Sequence, residues 1–118
     1  MKYAGVSGIV ALAAVTTTLV LGPLAFGSSE AATVKVTGTE MKLALNVKSV
    51  PKGSVTFVVT NKGKVAHDFK IAGKKTPKLA PGKTARLVVR FAKAGKYPFV
   101  CTLPGHALAG MKGSLTVK

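Results

Sequence analysis

The sequence has very little acid, a single thiol and no tryptophan. Its 118 residues include one Cys, no Trp and three Asp or Glu, against 18 Lys or Arg. Because Cys101 is the only cysteine, an intramolecular disulfide is excluded even in an oxidising compartment. Two acids remain once an N-terminal segment is set aside. They provide neither a catalytic carboxylate pair nor a Ser-His-Asp set, so we do not expect an enzyme.

The chain carries a large excess of positive charge. Its formal net charge is +15, and since Lys2 and Glu30 cancel, the residues that follow keep that charge. Such a field attracts polyanions and raises their rate of encounter. The lysines are spread over most of the predicted strands and are not clustered with aromatic residues. This distribution is typical of a solvated surface and disfavours nucleic-acid binding.

The N-terminal segment has the pattern of an export signal. Residues 4–27 contain no charge and follow a basic start at Lys2, the layout of a secretory signal. The run is also long enough to span a bilayer as an uncleaved helix. We therefore expect residues 1–32 to be a signal peptide or an N-terminal membrane anchor. Residues 33–118 would then fold as one domain in the periplasm or outside the cell.

After residue 32 the sequence alternates between apolar and polar residues, which predicts strands with one buried face. Gly and Pro turns separate short segments that leave no room for crossover helices. The pattern predicts an all-β domain, an antiparallel Greek-key β-sandwich or barrel of about seven strands. The predicted strands cover residues 34–36, 41–47, 55–59, 67–71, 87–91, 97–101 and 115–118.

Four residues are candidate metal ligands, although each has an ordinary structural explanation. A histidine on an apolar face, such as His67, is most often a structural residue with satisfied hydrogen bonds. Cys101 alone would be a small buried hydrophobe, and Met111 alone would fill the core. His106, in a glycine-containing loop, would most often be a solvated surface group.

Together, these residues indicate a copper site. The only cysteine, both histidines and one methionine occur as His67 followed by Cys101-x4-His106-x4-Met111. Two imidazoles and one thiolate with a weak thioether are the ligands of a trigonal copper site with a long axial methionine. One ligand would come from a strand and three from a single loop, so the scaffold could hold the site before copper arrives.

The stretch 101–113, Cys-Thr-Leu-Pro-Gly-His-Ala-Leu-Ala-Gly-Met-Lys-Gly, resembles the copper-binding loop of the cupredoxins, the blue (type 1) copper proteins. The resemblance extends over nearly all of residues 33–118. The Cys-x4-His spacing is similar to azurin, and the spacing to Met111 is more like rusticyanin and plastocyanin-type proteins. The resemblance implies one type 1 copper ion that carries single electrons. Cys101 would be the strong thiolate ligand, His67 and His106 the equatorial nitrogens, and Met111 the axial sulfur.

The residues around His106 predict a contact surface for redox partners. They are small or apolar in a loop that must reach the surface, and exposed apolar clusters usually mark contact sites. By the family resemblance, the exposed edge of His106 would be the route for the electron. We expect a monomer whose lysines attract a partner with an acidic docking surface. The predicted apolar patch comprises Leu103, Pro104, Ala107, Leu108 and Ala109.

Two residues depart from the commonest cupredoxin pattern. Asp68 stands where many members carry Asn or Ser, and an ionised carboxylate there should favour Cu(II) and lower the reduction potential. Pro98 interrupts the strand that leads to Cys101, which suits a strand edge or a bulge.

Two other functions remain open at this stage. The domain could hold or deliver copper without transferring electrons, or it could be a copper-free basic module that adheres to membranes or polyanions. The complete set of ligands disfavours the second.

Overall fold

The computed structural model describes residues 31–118, which form nine strands and no helix. Three of the nine strands have only two residues. The strands are β1 (Ala31–Thr39), β2 (Lys42–Leu45), β3 (Ser49–Val50), β4 (Gly53–Asn61), β5 (Lys70–Ile71), β6 (Lys74–Lys75), β7 (Thr84–Phe91), β8 (Gly95–Val100) and β9 (Lys112–Val117).

The strands form a sandwich of two sheets, which confirms the predicted all-β class. One sheet has the order β2-β1-β4-β7, and the other has the order β3-β9-β8-β5-β6. The prediction of purely antiparallel strands was wrong, because β1 pairs with β4 in parallel and β9 pairs with β3 in parallel. Between β1 and β4 the chain crosses to the other sheet as β3, so β4 returns alongside β1 in the same direction.

All seven predicted strands overlap observed ones, and the two additional strands are β3 and β6. A two-residue strand is too short to show alternation, so sequence periodicity could not reveal it. The predicted strand 67–71 is largely a loop, since only Lys70 and Ile71 pair as a strand. His67 makes an isolated antiparallel bridge to Leu79.

The core lies between the two sheets and is built from the inward positions of alternating strands. In β4, Val55, Phe57 and Val59 are buried, whereas the residues between them are half-buried. The Phe57 ring packs against Phe69 with centroids 5.1 Å apart, and Phe69 packs against Phe99 at 5.6 Å. Truncating such a buried ring to alanine costs about 3–5 kcal/mol. This row of rings supports β8, the strand that leads to Cys101.

Pro98 is accommodated within β8 as a paired position on one side only. It lies opposite Ser114 of β9. On the other side, β5 reaches only Phe99 and Val100 of β8. The missing N–H of Pro98 therefore does not interrupt the pairing with β5.

The predicted signal or anchor, residues 1–32, lies outside the described residues except for Ala31 and Ala32, which begin β1. Within residues 31–118, the structure has no helix of the length and apolarity that a membrane crossing requires.

Candidate metal centre

Three of the predicted ligands lie on one loop that joins β8 to β9. Cys101 directly follows β8 and Met111 directly precedes β9. The Cys101 N–H donates to the Met111 carbonyl at 3.0 Å, and the Met111 N–H donates to the His106 carbonyl at 3.0 Å. These main-chain bonds close the loop at its base and bring its three candidate ligands to the same end of the sandwich.

The fourth predicted ligand, His67, is held by its own backbone. Its N–H donates to the Leu79 carbonyl at 3.1 Å, and the Leu79 N–H donates back at 2.8 Å. The buried Asn61 amide donates to the carbonyls of Leu79 and Val65, both at 2.8 Å. Hydrogen bonds therefore hold the backbone of this segment at Val65 and at His67 itself.

The two histidines and the cysteine converge. His67 Nδ1 lies 3.2 Å from His106 Nδ1, and Cys101 Sγ lies 3.5 Å from the same His106 atom. The ligand atoms of all three residues lie within 4.8 Å of one another. One ion bound at about 2.0 Å from nitrogen and about 2.3 Å from sulfur can reach all three. In the described residues no other group of three such side chains is found.

Met111 is fully buried beside this group. A Cβ at Gly38 would lie 3.6 Å from the Met111 methyl carbon and 3.8 Å from His67 Cβ, so both side chains flank the same point of β1. The soft donors and imidazoles fit copper, because a His₂Cys set with a nearby methionine is the ligand set of blue copper sites.

Burial affects the chemistry of the thiol. Cys101 is fully buried, and desolvation is the main cause that raises the pKa of its thiol. The Asp68 N–H donates to Cys101 Sγ at 3.4 Å, which opposes this shift. Without a metal, Cys101 is a thiol at neutral pH. A coordinated divalent ion would remove its proton, because metals deprotonate the thiols that bind them.

Asp68 joins the two ligand-bearing segments. Its side chain is 2% exposed. Oδ1 accepts the Thr102 backbone N–H at 2.6 Å, and Oδ2 accepts the Thr102 hydroxyl. Lys75 Nζ is 4.0 Å from Oδ2 and partly balances the charge. The sequence placed this carboxylate next to a candidate ligand but did not predict its contact with Thr102.

Glu40 is a site residue that the sequence analysis missed. Its Oε1 accepts a hydrogen bond from His67 Nε2 at 2.8 Å. The Lys64 backbone N–H, which donates to the same carboxylate, is the main cause that lowers the Glu40 pKa, and His67 adds to it. The only sequence signal was the scarcity of acids, because 26 residues of turn and strand separate the two side chains.

The apolar residues around His106 reach the surface unevenly. Leu108 is 92% exposed, more than any other large hydrophobic residue in the described part of the chain. Pro104 and Ala109 are exposed, whereas Leu103 and Ala107 are half-buried. His106 itself is half-buried, and it lies on the loop between these residues.

Comparison with known proteins identifies the family. A model of the cupredoxin-like domain matches residues 8–117. The chain belongs to the cupredoxin-like family. For this cupredoxin, the donor set of histidine, cysteine and methionine side chains at one end of the sandwich points to a single copper ion as the cofactor.

Curated relatives of this cupredoxin include three named copper-resistant cuproprotein CopI, two of which match more than half of the chain. The one from Vibrio cholerae serotype O1 is 32% identical over 99 residues, 64% of this chain and 59% of that protein. The one from Rubrivivax gelatinosus is 29% identical over 86 residues, 55% of this chain and 52% of that protein. The chain thus spans between half and three-fifths of the length of these relatives. Auracyanin-B of Chloroflexus aurantiacus is 48% identical over 42 residues, 36% of this chain and 18% of that protein.

Solved structures show the same fold. Reduced auracyanin from Roseiflexus castenholzii has a TM-score of 0.60 and 23% identity, covering 78% of this chain and 99% of that chain. Auracyanin A of Chloroflexus aurantiacus, described as a blue copper protein, has a TM-score of 0.62 and 19% identity, covering 75% of this chain and 100% of that chain.

Proposed function

We propose that this cupredoxin is an exported carrier of single electrons with one type 1 copper ion. The convergence of His67, Cys101 and His106 within 4.8 Å carries the proposal. Copper bound there would supply the chemistry, since it accepts or gives up one electron between Cu(II) and Cu(I). Met111 would be the fourth, axial ligand, because it is buried and hydrogen-bonded through its backbone to both Cys101 and His106.

The rigidity of the ligand segments supports electron transfer. Electron exchange is fast when the ligands hardly move between oxidation states, so ligands should sit on an already fixed framework. Main-chain bonds at Cys101 and Met111, together with the His67–Leu79 bridge, provide that framework through the backbone alone. In the described residues both carboxylates, on Glu40 and Asp68, are engaged in hydrogen bonds, which favours a carrier over an acid–base enzyme.

We further propose that the electron passes through the exposed edge of His106. The surrounding apolar surface, with Leu108 at its most exposed point, lets a partner approach without desolvating charge. Lysines elsewhere on the domain would attract partners with acidic docking surfaces, and the protein would act as a monomer. Export to the periplasm or cell exterior, with residues 1–32 as a cleaved signal or a retained anchor, belongs to the same proposal. The mass of the native protein in soluble and membrane fractions would distinguish the two forms.

A second function, holding or delivering copper, is favoured by one observation. Three relatives carry the name copper-resistant cuproprotein, and the chain matches 64%, 55% and 32% of its length to them. A holding protein would need the same ligands but no fast electron exchange.

The test compares electron exchange with copper transfer. For the carrier, we expect the copper-loaded protein to show reversible one-electron voltammetry and rapid electron self-exchange, and to retain copper when mixed with a copper-free acceptor protein. Slow electron exchange, combined with transfer of copper to the acceptor without net redox, would contradict the electron-carrier function and support copper delivery.

A further inference from the structure

Glu40 makes an unusual set of contacts for an acid in a basic protein. It lies in the turn between β1 and β2. Its Oε1 accepts the Nε2–H of His67 at 2.8 Å and the Lys64 backbone N–H at 2.9 Å. The Val65 N–H also points to Oε1, at 3.4 Å. One carboxylate thus joins the β1–β2 turn, the loop before His67 and the His67 ring.

The contact selects one form of the His67 ring. A carboxylate only accepts hydrogen bonds, so the hydrogen lies on His67 Nε2, and the neutral ring has a free lone pair on Nδ1. That Nδ1 is the atom that faces His106 Nδ1 at 3.2 Å. Metal-bound imidazoles commonly donate their other N–H to a carboxylate or carbonyl, which fixes the ring and raises its basicity as a ligand.

The backbone leaves space for this contact at one position. A Cβ at Gly63 would overlap Glu40 Oε1 and would lie 3.0 Å from His67 Nε2. The Gly63 N–H is held by the Asn61 side-chain oxygen at 2.8 Å, so the loop cannot easily shift to make room. Glycine at residue 63 therefore allows the carboxylate and the imidazole to meet.

We propose that Glu40 is a positioning residue of the copper centre. It holds His67 with Nδ1 directed at the metal, and its negative charge stabilises Cu(II) relative to Cu(I). The inference rests on the proposed copper site and adds to it a residue outside the four ligands. The Glu40 side chain is 35% exposed, so water screens this charge only in part.

Four variants of the full chain separate position from charge. Glu40→Gln keeps the length and an acceptor oxygen but loses the charge, and Glu40→Ala loses both. Gly63→Ala keeps the charge but displaces the carboxylate. Ala92→Lys, in the exposed turn between β7 and β8, gives the same change in net charge as Glu40→Gln and serves as the control.

We expect Glu40→Ala and Gly63→Ala to bind Cu(II) about 10–100-fold more weakly, as is usual when an outer partner of a metal ligand is lost. Glu40→Gln should raise the midpoint potential, and Ala92→Lys should leave it near the wild-type value. A readout independent of copper is the ¹⁵N NMR spectrum of the copper-free protein at alkaline pH. It should show His67 as the Nε2–H tautomer in wild type and a mixture of tautomers in Glu40→Ala.

Thermal unfolding of each copper-free variant identifies any that fail to fold, and Glu40→Gln, the mildest change, then serves in their place. If wild type binds copper as a blue protein and the folded Glu40 and Gly63 variants match it in affinity, potential and tautomer, the role of Glu40 is wrong and the copper site stands. If wild type itself forms no blue copper site, the proposed function fails, and the role of Glu40 fails with it.

Discussion

Asp68 Oδ1 accepts the backbone N–H of Thr102 at 2.6 Å, across 34 residues of sequence. Asp68 follows His67 and Thr102 follows Cys101, so this bond ties together the segments that carry two candidate ligands. The carboxylate is nearly inaccessible to water, and its closest cation, Lys75, is half exposed. Water and salt should therefore screen the charge of Asp68 less than a surface charge, and its electrostatic effect on a bound copper ion should be stronger.

Replacing Asp68 by Asn should raise the midpoint potential. The charge that favours Cu(II) is lost, while the amide oxygen can still accept the Thr102 N–H. We expect a rise on the order of tens of millivolts for one charge at an effective dielectric constant of about 20. Voltammetry measures it, and Thr102→Val, which removes the hydroxyl bond but keeps the charge, is the control. An unchanged midpoint potential in Asp68→Asn would show that the charge of Asp68 does not tune the copper site.

The buried thiol predicts how the stability of the copper-free protein depends on pH. Burial raises the pKa of Cys101 above its ordinary value of 9.0, so the folded state keeps the proton where the unfolded state loses it. The stabilisation is complete below the unfolded pKa and is lost as pH rises toward the folded pKa.

Between these two pKa values the free energy of unfolding should fall by up to about 1.4 kcal/mol per pH unit more in wild type than in Cys101→Ser. Urea unfolding of both proteins between neutral pH and about pH 10 measures the difference. Parallel pH profiles for the two proteins would mean that burial does not hold the thiol protonated.

The sequence revealed the longer strands and the ligand cluster for physical reasons that do not extend to the rest. In β4, Val55, Phe57 and Val59 are apolar at every second position, so the sequence alone reveals the buried face of this strand. The pairing of β1 with β4 depends on where the intervening chain travels, which local pattern does not encode. His67, Cys101 and His106 could be singled out because the chain has no other imidazole or thiol. Glu40 could not be singled out from the sequence. Its contact with His67 arises only when the β1–β2 turn meets the loop that follows β4.

The positive charge of the domain should control its reaction with small redox reagents. With a net charge of +15, electron exchange with anionic ferricyanide should slow as salt is added, because the attraction is screened. Exchange with cationic hexaammineruthenium should speed up under the same conditions. Stopped-flow rates over a range of ionic strength measure both, and two rates that move in the same direction would contradict electrostatic control.

The exposed side chain of Leu108 should matter for electron exchange between protein molecules. Leu108→Asn adds a polar group to the patch beside His106 without touching a candidate ligand. At high salt, which screens the repulsion between like molecules, we expect self-exchange to slow roughly tenfold, equal to about 1.4 kcal/mol of lost contact energy. NMR line broadening of mixed oxidation states measures it.

The matched control is Val88→Asn, since Val88 is 59% exposed on β7, which belongs to the other sheet from the two strands that flank the His106 loop. It should leave the self-exchange rate unchanged. Equal slowing in both variants would show that the patch has no special part in exchange.

The most direct test of the copper site is the visible spectrum of the purified protein during titration with Cu(II). We expect an intense thiolate-to-copper band that saturates at one copper per chain and is absent in Cys101→Ser, with Met111→Leu keeping the band at a higher midpoint potential. A wild-type protein that gains no such band, or a Cys101→Ser variant that keeps it, would contradict the assignment of these side chains to one copper ion.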